Sequence, residues 1–168
     1  MILPRPGTGP ARKQGDTMRA LALILALIAA PVALAQTPDS ALTALLLRHL
    51  GVHLVVLAEL NALRREAVAT QARCETIDPR SSAPAENSFD VVIDAVGAKA
   101  TRAQAFTAIQ PGGVIMHVGL QDWASEIDMR KLTLAEITLL GTYTYTTADL
   151  RATVAALALG AFGDLSWV

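Results

Sequence analysis

Three short stretches carry the residues whose chemistry is worth weighing. Glu59 follows the apolar run 52–58 (VHLVVLA). Asp94 closes Val91-Val92-Ile93 and precedes Val96-Gly97, and Val118-Gly119-Leu120 close the run 114–118 (VIMHV). A carboxylate just beyond a strand can accept hydrogen bonds from sugar hydroxyls, and glycine lets backbone lie against a flat ring. Each has a plainer reading: a strand-end acid is simply solvated, and turns between strand and helix need glycine for positive φ. Metal chemistry has few donors. Cys74 is the single cysteine, so no internal disulfide forms, and it reads as a buried structural thiol. His49 and His53 are four apart, but Gly51 between them keeps them off one helical face. His117 precedes Val118-Gly119 and reads as packing or as the edge of a ligand site. Tyr143 and Tyr145 alternate on a strand-like stretch, as packing or interface residues do.

The elements that must position these residues follow from periodicity. Asp39-Ser40 can cap a helix over 41–50, with Gly51 as its left-handed stop. A strand is expected over 52–58, then an amphipathic helix over 61–71 with Leu63, Ala67 and Val68 facing the core. A short strand over 74–77 and a polar loop over 79–88 come next. A strand through residues 91–93 ends at Asp94. A helix over 99–109, a turn at Pro111-Gly112-Gly113, a strand over 114–118, a strand over 137–145 and a helix over 148–159 complete the series. Apolar strands alternating with ten-residue helices predict an α/β fold, an open parallel sheet flanked by helices.

In such a sheet the ligand lies beyond the carboxyl ends of the strands. That is where Glu59, Val96-Gly97 and Val118-Gly119-Leu120 fall. A carboxylate ending the second strand of a nucleotide-binding unit accepts both ribose hydroxyls. It also repels a 2′-phosphate, favouring NAD over NADP.

Composition bounds the rest. The 168 residues suit one domain, and 52% hydrophobic content, 17% charge and mean hydropathy +0.41 exclude a disordered or collagen-like chain. A net charge of −1 gives no electrostatic case for nucleic acid. Residues 1–17 hold three of the eight prolines and three of the eleven glycines, and read as a disordered arm. Residues 20–35 (ALALILALIAAPVALA) are sixteen without a charge. A helix of that length is about 24 Å long, short of the ~30 Å hydrocarbon core. Basic residues precede the run and Ala33-Leu34-Ala35 ends it, so 18–36 reads as a signal-like segment or as a buried apolar helix. Membrane contact is expected only if that segment is an uncleaved signal.

The run FDVVIDAVGAKATRAQAFTAIQPGGVIMHVGL (89–120) resembles the cofactor domain of medium-chain, zinc-type alcohol and polyol dehydrogenases. That family carries D-x-x-G, a helix, then G-G-x-I-x-x-V-G. LLLRHLGVHLVVLAELNALRREAVA (45–69) looks like its first helix and second strand, ending in an acid followed by N-x-x-R. KLTLAEITLLGTYTYTTADLRATVAALALGAFGDL (131–165) resembles its later E-x-x-L-x-G segment and following helix. The resemblance implies a Rossmann-like fold, NAD as cofactor and oxidoreductase chemistry in the cytoplasm. It implies that Glu59 holds the adenosine ribose with Arg64 near the adenosine. Val96-Gly97 would lie along the dinucleotide, and Val118-Gly119-Leu120 beside the nicotinamide. Family dimers pair through a late edge strand, here within 137–145.

Departures from the pattern matter as much. Where the family has G-x-G-P-x-G, this chain has Ala35-Gln36-Thr37-Pro38-Asp39-Ser40. Thr37 would crowd the pyrophosphate's approach, and Asp39 adds negative charge where phosphates should sit. The first strand that should precede this turn is therefore expected to be incomplete. The family's zinc is held by a separate N-terminal domain that 168 residues leave no room for, and no ligand set replaces it. The chain also ends at Trp167-Val168, where the family continues. The expectation is a truncated cofactor domain over 37–168, with no catalytic residues of its own and no activity in isolation. The alternatives are a non-catalytic binding module, exported or membrane-anchored through 18–35, and a non-functional gene relic.

Overall fold

The computed structural model describes residues 39–166, so the arm at 1–17 and the apolar run at 18–36 lie outside the described residues. The chain order is α1 (Asp39–His49), β1 (Val56–Ala58), α2 (Ala62–Gln71), β2 (Glu75–Ile77) and β3 (Phe89–Asp94). It continues with α3 (Lys99–Ala108), β4 (Ile109–His117), α4 (Met129–Leu134), β5 (Thr138–Gly141) and α5 (Thr147–Ala158). All strand pairs are parallel, as the alternation of strands and helices predicts. Among the described residues they form two sheets, β1-β2 and β3-β4-β5. Among the described residues each of β1 and β3 pairs on one side only, and the first strand expected before residue 36 lies outside them.

Among the described residues no ladder runs between the two sheets, and side chains join them. Helix α1 supplies Ala41 and Ala44 to a core shared with Val55, Val68, Ala72 and Cys74. From the same helix, Leu46 is fully buried against Phe162, with Ile93 of β3 packed beside it. A leucine so buried contributes roughly 1.5–3 kcal/mol, and α1 thereby packs against both halves. A third core lies between α3 and the larger sheet, built on Phe106, Ile109, Ile115 and Ile137.

Most local signals translate directly. Helix α1 begins at Asp39, so Asp39 and Ser40 fall inside its first turn rather than ahead of it. It stops at Gly51, whose φ is +83°, with Val52 N donating to the Leu47 carbonyl and Gly51 N to that of Arg48. Helix α2 is capped by Asn61, whose side chain accepts from Arg64 N. Thr146 and Asp149 form a reciprocal box at the start of α5.

Four expectations need correction. The strand expected over 52–58 is ordered as β1 only from Val56, because Arg48 Nη1 takes the carbonyls of Val52 and His53 at 3.0 and 2.7 Å. The turn expected at Pro111-Gly112-Gly113 is a bulge inside β4. Phe89 pairs with Ile109 and Val91 with Val114, so β4 loops out while its ladder continues. The strand expected over 137–145 ends at Gly141, since its partner β4 ends at His117. Val68 is buried as expected and Ala67 partly so, but Leu63, expected beside them in the core, is 77% exposed, with Arg64 and Arg65 half-buried next to it. Helix α4, capped by Asp128, was not anticipated from the periodicity.

Candidate functional site

Parallel strands bring their carboxyl ends to one side, and the residues singled out from sequence gather there in two groups. The first forms beyond β1 and β2. Glu59 N donates to the Ile77 carbonyl at 3.1 Å, which prolongs the ladder and points the next turn along α2. The Glu59 carboxylate is only 12% exposed. Both of its hydrogen bonds fall on Oε1, from Asn61 N at 2.8 Å and Arg64 Nη2 at 2.9 Å. Arg64, which the resemblance sets near the adenosine, thus forms an ion pair with Glu59.

Sequence reasoning missed the rest of this group. Arg65 Nη1 donates to the carbonyls of Glu59 and Leu60, and its Nη2 lies 3.2 Å from Asp78 Oδ2. Asp78 follows β2 directly and also receives Arg80 through Nε at 3.0 Å and Nη2 at 2.6 Å. The signal was available: Asp78 is a strand-end carboxylate by the same rule that selected Glu59.

Hydrogen bonds from the Arg80 side chain and backbone, with its charge, hold the Asp78 carboxyl well below the usual carboxylate range. A depressed folded pKa stabilises the fold above the unfolded value, and that stability is lost as pH falls through the folded value. Asp78→Asn is therefore expected to flatten the acid limb of the stability curve below about pH 4. Urea unfolding followed at stepped pH checks this, and an unchanged acid limb would refute it.

The second group lies beyond β3 and β4. Asp94 is 4% exposed, and its Oδ1 accepts from Gly97 N at 2.8 Å and Val96 N at 3.2 Å. Its Oδ2 meets His117 Nδ1 at 3.3 Å, so His117 is held by a buried carboxylate rather than by apolar packing alone. The two loops are then laced together. Val118 N and Gly119 N donate to the Asp94 carbonyl, Gln121 N to Val96 and Asp122 N to Gly97, at 2.9–3.1 Å. Lys99 N donates to Asp122 Oδ2 at 2.7 Å, and Arg102 secures the Asp122 carbonyl and Ser125 Oγ.

Gly97 and Gly119 meet face to face. A Cβ on Gly97, whose φ is +72°, would fall inside the Gly119 carbonyl, and one on Gly119 would collide with the Val96 carbonyl. Both glycines are thus required by contact between the loops, whatever else approaches them. Val96 and Leu120 project outward at 48% and 76% exposure, while Val118 is half-buried. A cavity of about 360 Å³ opens on the α3 side of the sheet between Arg102, Phe106, His117, Trp123 and Leu139.

The structure joins Glu59 to Arg64, and Val96-Gly97 to Val118-Gly119-Leu120. Among the described residues, no hydrogen bond or ion pair joins one group to the other. Nor do those residues gather three His, Cys, Asp or Glu side chains able to hold a metal. His49 and His53 are exposed, with His49 edge-on to Phe162 at 5.8 Å. Cys74 is buried, and that burial pushes its thiol pKa up. Zinc therefore has no donor set among the described residues.

The sequence profile of a family described as zinc-binding dehydrogenase matches residues 40–159. No curated protein matches the chain. Among solved structures, acetophenone reductase from Geotrichum candidum in complex with NAD is 19% identical with a TM-score of 0.70. It covers 93% of this chain and 48% of its own. L-idonate 5-dehydrogenase from Escherichia coli is 21% identical with a TM-score of 0.67, covering 90% of this chain and 48% of its own. A Sinorhizobium meliloti protein described as a zinc-binding dehydrogenase, bound to NADP, is 27% identical with a TM-score of 0.64. It covers 72% of this chain and 39% of its own. This chain thus spans about half the length, or less, of the solved proteins it resembles.

Proposed function

The chain belongs to the zinc-binding dehydrogenase family, and on that premise we propose that it is the dinucleotide-binding portion of an NAD-dependent alcohol or polyol dehydrogenase. The observation that carries this reading is positional. Glu59, Val96-Gly97 and Val118-Gly119-Leu120 all sit at the carboxyl ends of parallel strands, where an open α/β sheet receives its ligand.

In this reading Glu59 takes the adenosine ribose. Its two protein hydrogen bonds occupy Oε1, which leaves Oε2 to accept a ribose hydroxyl. Arg64 fixes the carboxylate from one side and borders the adenosine. Val96-Gly97 lie along the dinucleotide and Val118-Gly119-Leu120 beside the nicotinamide, with Val96 and Leu120 exposed on the laced loops. The nicotinamide supplies hydride acceptance when the cofactor is bound. The chain's part is to orient it, and the hydrogen bonds between the loops keep that floor rigid.

Among the described residues no three His, Cys, Asp or Glu side chains gather to hold zinc, and the isolated chain is read as inactive. Thr37 and Asp39 in place of the phosphate-binding glycines make its hold on the dinucleotide weak. Among the described residues strand β5 pairs on one side only and its four residues are exposed, which supports a homodimer through that edge. Among the described residues no helix is long and apolar enough to cross a membrane. We place the protein in the cytoplasm, as the family resemblance implies.

Calorimetry of the purified chain with NAD tests the reading, with millimolar binding and no NADH formed from secondary alcohols in the presence of zinc. Absence of any binding would remove the nucleotide role. Sub-millimolar affinity would overturn the argument from the missing glycines, and NADH formation would overturn the inactivity.

A further inference from the structure

The cavity on the α3 side of the larger sheet plays no part in the dinucleotide reading, and its lining is sorted by chemistry. At about 360 Å³ it has the size of a small-molecule pocket. Its floor is apolar: Phe106 and Ile115 are buried, and Leu139 of β5 lies with them in the lining. Around that floor stand His117, Arg102 and Trp123. Asp94, buried behind His117, accepts from its Nδ1 at 3.3 Å, since a carboxylate can only accept. The proton is thereby held on Nδ1, and Nε2, without a partner among the described residues, is left as an acceptor. Arg102 donates through Nη1 to Ser125 Oγ at 3.0 Å and through Nη2 to the Asp122 carbonyl at 2.6 Å. Both acceptors are neutral, and among the described residues no carboxylate lies within ion-pair distance of Arg102. Its remaining N–H groups are free to take an anion. Trp123 follows Asp122 on the same anchored loop and is fully exposed, an aromatic face in water at the cavity rim.

We propose that this cavity binds a small aromatic hydroxy acid. Arg102 takes the carboxylate, the ring lies on Phe106, Ile115 and Leu139 against Trp123, and a hydroxyl donates to His117 Nε2. A guanidinium already oriented by two neutral acceptors loses little freedom on pairing with a carboxylate. An amine does not suit the site. Asp94 is the one carboxylate in the lining, and it is turned to His117 and to the backbone N–H groups of Val96 and Gly97. The inference is independent of the dinucleotide reading, which its failure leaves standing.

Benzoate, 3-hydroxybenzoate, 4-hydroxybenzoate and benzylamine, titrated calorimetrically into the full chain, test this. The acids are expected to bind and benzylamine to bind far more weakly. One of the two hydroxybenzoates is expected to bind roughly five- to tenfold tighter than benzoate, the gain of one hydrogen bond. That gain should vanish in His117→Asn, whose amide can replace Nδ1 toward Asp94 but does not extend to the place of Nε2. Benzoate affinity should fall roughly tenfold in Arg102→Gln and be largely kept in Arg102→Lys. Bound benzoate should also alter tryptophan fluorescence, a change lost in Trp123→Phe and kept in Trp167→Phe. Binding of no acid, or of benzylamine as tightly as benzoate, would overturn the inference. So would a fluorescence change that survives Trp123→Phe. Equal losses in Arg102→Gln and Arg102→Lys would reduce Arg102 to an anchor of the loop and overturn its ion pair. A hydroxyl gain missing from both hydroxybenzoates would overturn the role given to His117.

Discussion

Gly97→Ala is expected to destabilise the chain by about 3–5 kcal/mol, enough to unfold a domain of ordinary stability. Two costs add. The φ of +72° disfavours any L side chain by roughly 1–2 kcal/mol. The new Cβ also meets the Gly119 carbonyl, which is backbone fixed by hydrogen bonds and cannot move aside as a side chain could. Gly160→Ala separates the two costs. Gly160 has a φ of +66° but nothing within 4 Å of an added Cβ, so only the conformational cost applies. Urea unfolding of both variants measures the difference. Equal effects would mean that the close approach of the two loops contributes nothing.

Asp94→Ala is expected to cost about 2–4 kcal/mol. It leaves Val96 N and Gly97 N without their acceptor in a largely buried place, and releases His117 Nδ1. Asp94→Asn keeps one oxygen for the two backbone donors, and its amide can donate to the imidazole, so it should cost about 1 kcal/mol. The contrast tells hydrogen bonding from charge. Equal losses in both variants would show that the carboxylate's charge, not its acceptor geometry, holds the turn. The same measurement bears on the proposed function, because this turn supports Val96 and Leu120 where the dinucleotide would rest.

How far the sequence could be read varied with the range of the interaction involved. Gly51 as a helix stop, Asn61 at the start of α2 and the parallel alternation of strands all follow from patterns a few residues long. The placement of Glu59, Asp94 and Gly119 at strand ends follows from the same patterns. Leu63 illustrates the limit. Helical periodicity sets it beside Ala67 and Val68 in the core, but it lies outside, with Arg64 and Arg65 half-buried next to it in ion pairs. The bulge at residues 111–113 escaped because glycine and proline there read equally as a turn or as an excursion within a strand.

By itself the sequence determined the class of fold, the chain positions of its strand ends and the residue types displayed there. These depend on period, turn chemistry and propensity, which act within one element. Only the tertiary structure decided that Glu59 is neutralised by Arg64, that Asp78 draws in Arg65 and Arg80, and that Gly97 and Gly119 brace each other. It also decided that α1, rather than a shared strand among the described residues, ties the two sheets together. Charge pairing and backbone approach depend on which elements lie side by side, and that is set by packing across the whole chain.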